Sequence, residues 1–260
     1  MESALIRIAQ ISDIHIGGTD LPVQDIDVRA NFLKALRAID ENQVDLIVLS
    51  GDLAAEDGEE GAYAWVADVM APYKVPWVVM GGNHDRVDLM AKYFDIARDM
   101  KNGLLYFQRV IKGRHLFFLD SSHNVVHSEQ LQWLYQEVSA IPSEVLLFIH
   151  HPPALCSCLF MDTHHPLHNI EEVRATLRSL PNIHSIFVGH YHTDKLIVQD
   201  FKNIHLTPST MMQIDTHSPG FRMEHVRPGW RTIEWSLDRL ETEVHYGIEA
   251  PENPSATHIF

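Results

Sequence analysis

The chain has 260 residues, 45% of them hydrophobic and 21% charged, with a formal net charge of −15. That is the makeup of a soluble globular protein, long enough for one large domain or two small ones around a buried core. The negative balance excludes the basic footprint by which proteins hold nucleic acid or an anionic membrane surface, so it favours a small substrate. Histidine is the outlier, at 18 residues, and metal binding is the commonest reason to gather neutral imidazoles in one place. The first residues run into a strand without the basic segment and apolar core of a signal peptide. No apolar run approaches the ~20 residues of a membrane span. Cys156 and Cys158, one residue apart, are too close for an ordinary structural disulfide, and the expected compartment is a reducing cytoplasm.

In chain order, residues 5–11 alternate and are β-branched, as in a strand, and residues 17–25 form a loop. Residues 28–41 carry a helical pattern in Phe32, Leu33, Leu36 and Ile39. The apolar strand 45–49 then closes a β-α-β unit with a right-handed crossover. Residues 56–60 are an acidic loop without a usable pattern, 62–71 a second helix and 76–80 a third strand. The alternation predicts a parallel or mixed sheet flanked by helices. A helix is expected around 89–98, and a hairpin turns about Lys112-Gly113-Arg114. Ser128 opens another helix with a sequence resembling a capping box, and 145–149 is a strand. Residues 152–168 read as a long loop of the kind that serves as a lid or binding loop. The helix 169–180 and the strand ending at Val188 follow. The remainder has strand character at 195–198, 204–207, 221–226, 232–237 and 242–246, and a second sheet built from this half would pack against the first. With no repeat, linker or boundary, residues 1–250 read as one domain and 251–260 as a loosely held tail.

Five polar clusters each follow a short apolar strand: Asp13-Ile14-His15, Gly51-Asp52, Gly81-Gly82-Asn83-His84-Asp85, His150-His151 and Gly189-His190-Tyr191-His192. Open sheets bind ligands at the carboxyl ends of their strands, so the clusters converge on one site rich in imidazole and carboxylate. Asp13 and His15 are two apart and point to the same side if strand geometry persists, and His190 and His192 repeat that spacing. Asp52 has two oxygens and can bridge two metals. Asn83 offers a carbonyl oxygen and His150 a nitrogen. A nitrogen and oxygen set without thiolate suits iron, manganese, zinc or cobalt, with iron and manganese foremost. Two carboxylates against two divalent ions leave about two positive charges, which can ionise a water and attract a phosphate. His84 is a candidate to orient phosphate oxygen or protonate the leaving alkoxide, and Asp85 to orient His84.

The set Asp13-x-His15, Gly51-Asp52, Gly82-Asn83-His84-Asp85, His150 and Gly189-His190-x-His192 resembles the metal signature of the calcineurin-like metallophosphoesterases. Within that family the chain is similar to the bacterial class III cyclic nucleotide phosphodiesterases. His150-His151-Pro152-Pro153, Thr207-Pro208-Ser209-Thr210 with Gln213, Pro228-Gly229-Trp230-Arg231 and Thr242-Glu243-Val244-His245 extend that likeness over most of the chain. The resemblance implies an α/β fold, a four-layer α-β-β-α sandwich of two mixed β-sheets flanked by helices. It implies one metal held by Asp13, His15, Asp52 and His192, and a second by Asp52, Asn83, His150 and His190. Substrate phosphate would meet His15, Asp52, Asn83, His84 and His192, with His84 and Asp85 as the catalytic pair. The implied reaction is hydrolysis of 3′,5′-cyclic AMP or a related cyclic nucleotide to the 5′-monophosphate by a metal-held hydroxide. A homodimer is implied by the resemblance alone. The alternatives are a phosphoesterase for another small substrate, such as a glycerophosphodiester, and a non-catalytic interaction module on the same fold.

Other residues favour plainer roles. His151 is assigned to packing or support beside the site. His164, His165 and His168, with the two cysteines, read as a polar loop rather than an extra metal or redox site. Trp230 and Phe221 could stack a base but are assigned to the core, and Met211 and Met212 to packing. Ser209 and Thr210 could line the pocket or simply follow a turn at Pro208. Ser12 and Ser50 lack a paired base, which argues against a serine nucleophile.

Overall fold

The computed structural model describes residues 5–40 and 43–247. In its first part β1 (Ile6–Ile11), α1 (Val28–Ala38), β2 (Leu46–Ser50), α2 (Glu60–Met70) and β3 (Trp77–Met80) alternate. Then come α3 (Val87–Met90), the short pair β4 (Met100–Lys101) and β5 (Leu104–Leu105), the hairpin β6 (Phe107–Ile111) and β7 (Arg114–Leu119), α4 (Ser128–Ser139) and β8 (Val145–Ile149). The last part holds α5 (Leu159–His164), α6 (Ile170–Arg178), β9 (Ile183–Val188), β10 (Lys195–Gln199) and β11 (Lys202–Leu206). It closes with the short pair β12 (Gln213–Ile214) and β13 (Met223–His225) and the hairpin β14 (Gly229–Trp235) and β15 (Leu240–Tyr246).

The long strands make two mixed sheets, one of five strands in the order β15-β14-β1-β2-β3 and one of six in the order β10-β11-β9-β8-β7-β6. In the first sheet β1, β2 and β3 run parallel and the hairpin β14-β15 joins antiparallel on the β1 side. In the second β11, β9, β8 and β7 run parallel between the antiparallel edge strands β10 and β6. Every residue of β2 and β8 is buried, as expected of parallel strands covered on both faces. On the inner face of the six-stranded sheet Phe107, Phe118, Phe148 and Phe187 stack in succession, with ring centroids 4.6, 5.1 and 5.2 Å apart. They share one apolar core with Ile6, Ile8 and Val48 of the other sheet and with Phe32, Leu36, Tyr63 and Val66 of α1 and α2. The alternate residues Phe117, Leu147 and Ile149 join a second core with Leu134 and Val138 of α4 and Val173 and Leu177 of α6. The period of two along a strand separates these two cores. The result is the expected α/β architecture of two mixed sheets flanked by helices.

Four local expectations are corrected. The helix near 89–98 shrinks to the single turn of α3, because both Phe94 and Ile96 are buried and residues two apart cannot share a helix face. The capping box does not form: His127 is the N-cap of α4, with no side-chain cap bond, and Ser128 lies inside the first turn. The stretch 152–168 contains the helix α5. The second sheet draws on residues from β6 to β11, whereas β14 returns to the first sheet and pairs antiparallel with β1, covering an edge that would otherwise expose unpaired backbone. The tail expected at 251–260 lies outside the described residues.

Candidate metal centre

The carboxyl ends of β1, β2 and β3 from one sheet and of β8 and β9 from the other meet along one margin of the sandwich, bringing all five clusters together. Strand geometry does not persist into them. Asp13 (φ 54°), His15 (φ 45°), Asp52 (φ 49°), His190 (φ 64°) and His192 (φ 46°) all adopt left-handed backbone. Each such non-glycine residue costs on the order of 1–3 kcal/mol and persists only where its neighbours enforce it. Here they do: Asp13 N–H donates to the Gly51 carbonyl at 3.1 Å, His15 N–H to that of Asp52 at 3.0 Å, and His190 N–H to the Asp13 carboxylate at 3.0 Å. Two glycines admit this crowding. A Cβ on Gly82 would collide with Asp52 and His150, and one on Gly189 with Ser12 and Asp13.

The donor atoms fall into overlapping groups, each within 4.8 Å: Asp13, His15 and His192; Asp52, His150 and His190; and His15, Asp52 and His84. Backbone carbonyls fix which ring nitrogen faces inward. His150 Nδ1 donates to Ser50 at 2.9 Å, His190 Nε2 to His165 at 2.9 Å and His192 Nδ1 to Met212 at 3.1 Å. The other nitrogen of each ring is left for the cluster. His15 Nε2 stands 3.1 Å from His192 Nε2. His150 Nε2 lies 3.2 Å from Asp52 Oδ2 and 3.7 Å from Asp13 Oδ1, yet without hydrogen-bond alignment, and Asn83 Oδ1 is likewise buried with no partner. Buried polar atoms are ordinarily satisfied, so two orphans on residues of a nitrogen and oxygen cluster fit a cation site.

The electrostatics agree. Burial alone would raise the Asp13 carboxyl, but His192 and His150 outweigh it and hold it at about 2. Burial likewise opposes ionisation of Asp52, and His150 holds it well below the usual carboxylate range. His150 is drawn the other way, since Asp52 and Asp13 overcome burial and raise it to about 10. Burial lowers His15 to about 4 against the pull of Asp52, and burial with the nearby His150 lowers His190 to about 3. Two ionised carboxylates facing one imidazolium leave negative charge uncompensated in a buried site, which bound cations would neutralise.

His84 donates its backbone N–H to Asp52 Oδ1 at 2.9 Å, and its ring Nδ1 lies 2.9 Å from the carbonyl oxygen of Glu56. Asp85 does not orient this ring. Its carboxylate accepts from the amides of Leu53, Ala54 and Gly82 and from the Tyr63 hydroxyl, all at 2.9–3.1 Å. It therefore ties the loop after Asp52 to the turn before Asn83. Glu56 and Tyr63 carry no expectation from the sequence, and His165 and Met212 are assigned there only to a polar loop and to packing. Three of them act through backbone carbonyls, which any residue supplies, and only Tyr63, a buried hydroxyl on a helix face, carries a signal of its own.

His151 is fully buried between Ser121 Oγ at 2.8 Å and Asn124 Oδ1 at 3.0 Å, with its ring centroid 4.1 Å from that of His190. Cys156 and Cys158 are free and buried, and burial raises both thiols. Ser209 is buried and donates to the Asp13 carbonyl at 2.7 Å, and Thr210 is buried beside it. Trp230 is in the core, but Phe221 is 52% exposed, which corrects its assignment to the interior. It lines a cavity of about 230 Å³ whose other walls include His15, Asn83, His84, His190 and His192. A larger cavity of about 610 Å³, lined by Trp77, Phe94, Asp99 and Arg109, lies away from the donor cluster. Among the described residues, no helix is long and apolar enough to cross a membrane.

The profile of the calcineurin-like phosphoesterases matches residues 6–194. A probable cyclic nucleotide phosphodiesterase of Fibrobacter succinogenes is 46% identical over 246 residues, 95% of this chain and 96% of the relative. The 3′,5′-cyclic adenosine monophosphate phosphodiesterase of Escherichia coli is 32% identical, covering 93% of this chain and 90% of its own. Among solved structures, a dimetal phosphatase of Danio rerio superposes with a TM-score of 0.64 at 16% identity, over 92% of this chain and 98% of that one.

Proposed function

Because the chain belongs to the calcineurin-like phosphoesterases, we propose that it is a two-metal phosphodiesterase that opens 3′,5′-cyclic nucleotides, cyclic AMP first among them, to the 5′-monophosphate. The observation that carries the two-metal reading is the place of Asp52. Its Oδ2 lies 3.8 Å from His15 Nε2 and 3.2 Å from His150 Nε2, between the two donor groups. The substrate reading rests on the two relatives named as cyclic nucleotide enzymes. Asp13, His15, Asp52 and His192 would hold one ion, and Asp52, Asn83, His150 and His190 the other. Bound divalent ions supply Lewis acidity toward phosphoryl oxygen and make water a nucleophile near neutral pH.

The chain's own residues do the rest. The left-handed loops hold the donors in place before substrate arrives, and the carbonyls of Ser50, His165 and Met212 fix the ring tautomers. Water adds to phosphorus and gives up a proton to solvent, the bond from phosphorus to O3′ breaks, and O3′ takes a proton from Nε2 of His84 in its doubly protonated form. The Nδ1–H of that ring donates to the Glu56 carbonyl, and its Nε2 regains a proton from solvent. The product keeps its phosphate on O5′. The test is a panel of cyclic AMP, cyclic GMP, a 2′,3′-cyclic nucleotide, glycerophosphodiesters and a phosphomonoester under matched manganese and iron conditions, with products separated by chromatography. Cyclic AMP should give 5′-AMP with the highest kcat/KM. A faster glycerophosphodiester or monoester would overturn the substrate and leave the metal centre standing.

A further inference from the structure

The cavity beside the donor cluster has a lining of two kinds: the polar His15, Asn83, His84 and His192, and the apolar Phe160, Phe221 and Met212. Phe160 comes from α5 and Phe221 from the segment before β13, and their rings meet edge to face, with centroids 5.8 Å apart and planes at 66°. Aromatic pairs of this kind are usually sealed inside a core. Here Phe160 is half-buried and Phe221 is 52% exposed. An exposed aromatic pair sharing one cavity with a polar donor cluster matches a ligand with a charged end and a flat apolar end. The cavity, at about 230 Å³, is somewhat smaller than the usual ligand site of about 300–1,000 Å³.

We propose that Phe160 and Phe221 form the wall on which a nucleotide base lies while its phosphate meets the donor cluster. The proposal rests on the cyclic nucleotide reading above. The fold joins the two ends of such a ligand. The segment that carries Phe160 continues to His165, whose carbonyl holds His190, and Met212, which also lines the cavity, holds His192 through its carbonyl.

The test is calorimetric binding of 5′-AMP and of ribose 5-phosphate to the manganese-loaded protein, in the wild type, Phe221→Ala, Phe160→Ala and Phe160→Tyr. The wild type should prefer 5′-AMP, and each alanine variant should cut that preference about tenfold, the weight of one stacked base. Phe160→Tyr should keep it. Equal affinity of the wild type for both ligands would overturn the wall, as would a parallel loss for both in the alanine variants. Phe221 is exposed, so its variant carries the test if Phe160→Ala disturbs α5. Hydrolysis of cyclic AMP by the same wild-type preparation judges the other reading separately. A protein that ignores cyclic AMP yet prefers 5′-AMP keeps the wall and loses the cyclic substrate, and one that hydrolyses cyclic AMP without that preference does the reverse.

Discussion

The carbonyl oxygen of Glu56 accepts a hydrogen bond from Nδ1 of His84 at 2.9 Å, so the ring is held by the loop after Asp52 and not by its neighbour Asp85. Asn83, one residue earlier, has its amide oxygen buried without a partner. The two adjacent residues therefore separate two roles. Asn83→Ala should lower metal content and turnover together. His84→Ala should lower turnover about 100- to 1,000-fold with both metals retained, the weight of a general acid. Metal analysis beside steady-state kinetics checks this, and equal metal loss in both variants would contradict the division.

Removal of metal should cost stability directly. Asp13 and Asp52 are buried and ionised, with His150 their closest cationic partner. An ion present at a hundredfold excess over its Kd stabilises the folded state by about 2.7 kcal/mol. For a chain of this size that corresponds to a rise of roughly 5–10 °C in Tm. Calorimetry of chelated protein titrated with manganese should show this rise, and a Tm indifferent to manganese would argue against a cation site.

Much of the centre was legible because its side chains sit in short polar clusters directly after apolar strands. The rule that ligands gather at strand carboxyl ends then joins segments as distant as Asp13 and His192. The reason offered for Asp13 and His15 was nonetheless wrong in detail, since both are left-handed and not extended. The carbonyls of Glu56, His165 and Met212 were illegible because a backbone acceptor leaves no mark on residue type. The return of β14 to β1 was illegible because strand pairing is settled by which edge is free once the other strands are placed.

In the metal-free protein, stability should peak near pH 6.5 and fall on both sides. Folded His15 and His190 protonate only near about 4 and about 3, whereas the unfolded chain takes up those protons near 6.5, so stability drops as pH falls through this window. His150 is raised to about 10, so its contribution is complete below 6.5 and is lost as pH rises toward 10. Asp85, raised to about 6, works against the acid-side loss as a single group. Urea unfolding of chelated protein across this range checks the shape. Burial lowers His151, His165 and His205 in the same direction, so a profile flat from 6.5 to 4 would remove the lowered imidazoles as a group from the account, and one flat from 6.5 to 10 would remove His150.

Asp85 should behave as a positioning residue. Its carboxylate gathers the amides of Leu53, Ala54 and Gly82 with the Tyr63 hydroxyl, and burial and the nearby Asp52 raise it to about 6. Asp85→Ala leaves several buried donors without an acceptor, at a cost of at least ~2 kcal/mol. It also frees the loop that presents Asp52 and the turn that presents Asn83. The variant should thus unfold at lower urea and bind metal more weakly, while turnover per fully loaded site stays within a few fold of wild type. His84→Ala should show the opposite pattern, with stability and metal kept and turnover lost. If Asp85→Ala remains stable and fully loaded yet loses turnover, the carboxylate acts on the reaction itself, and the role read from its hydrogen bonds is mistaken.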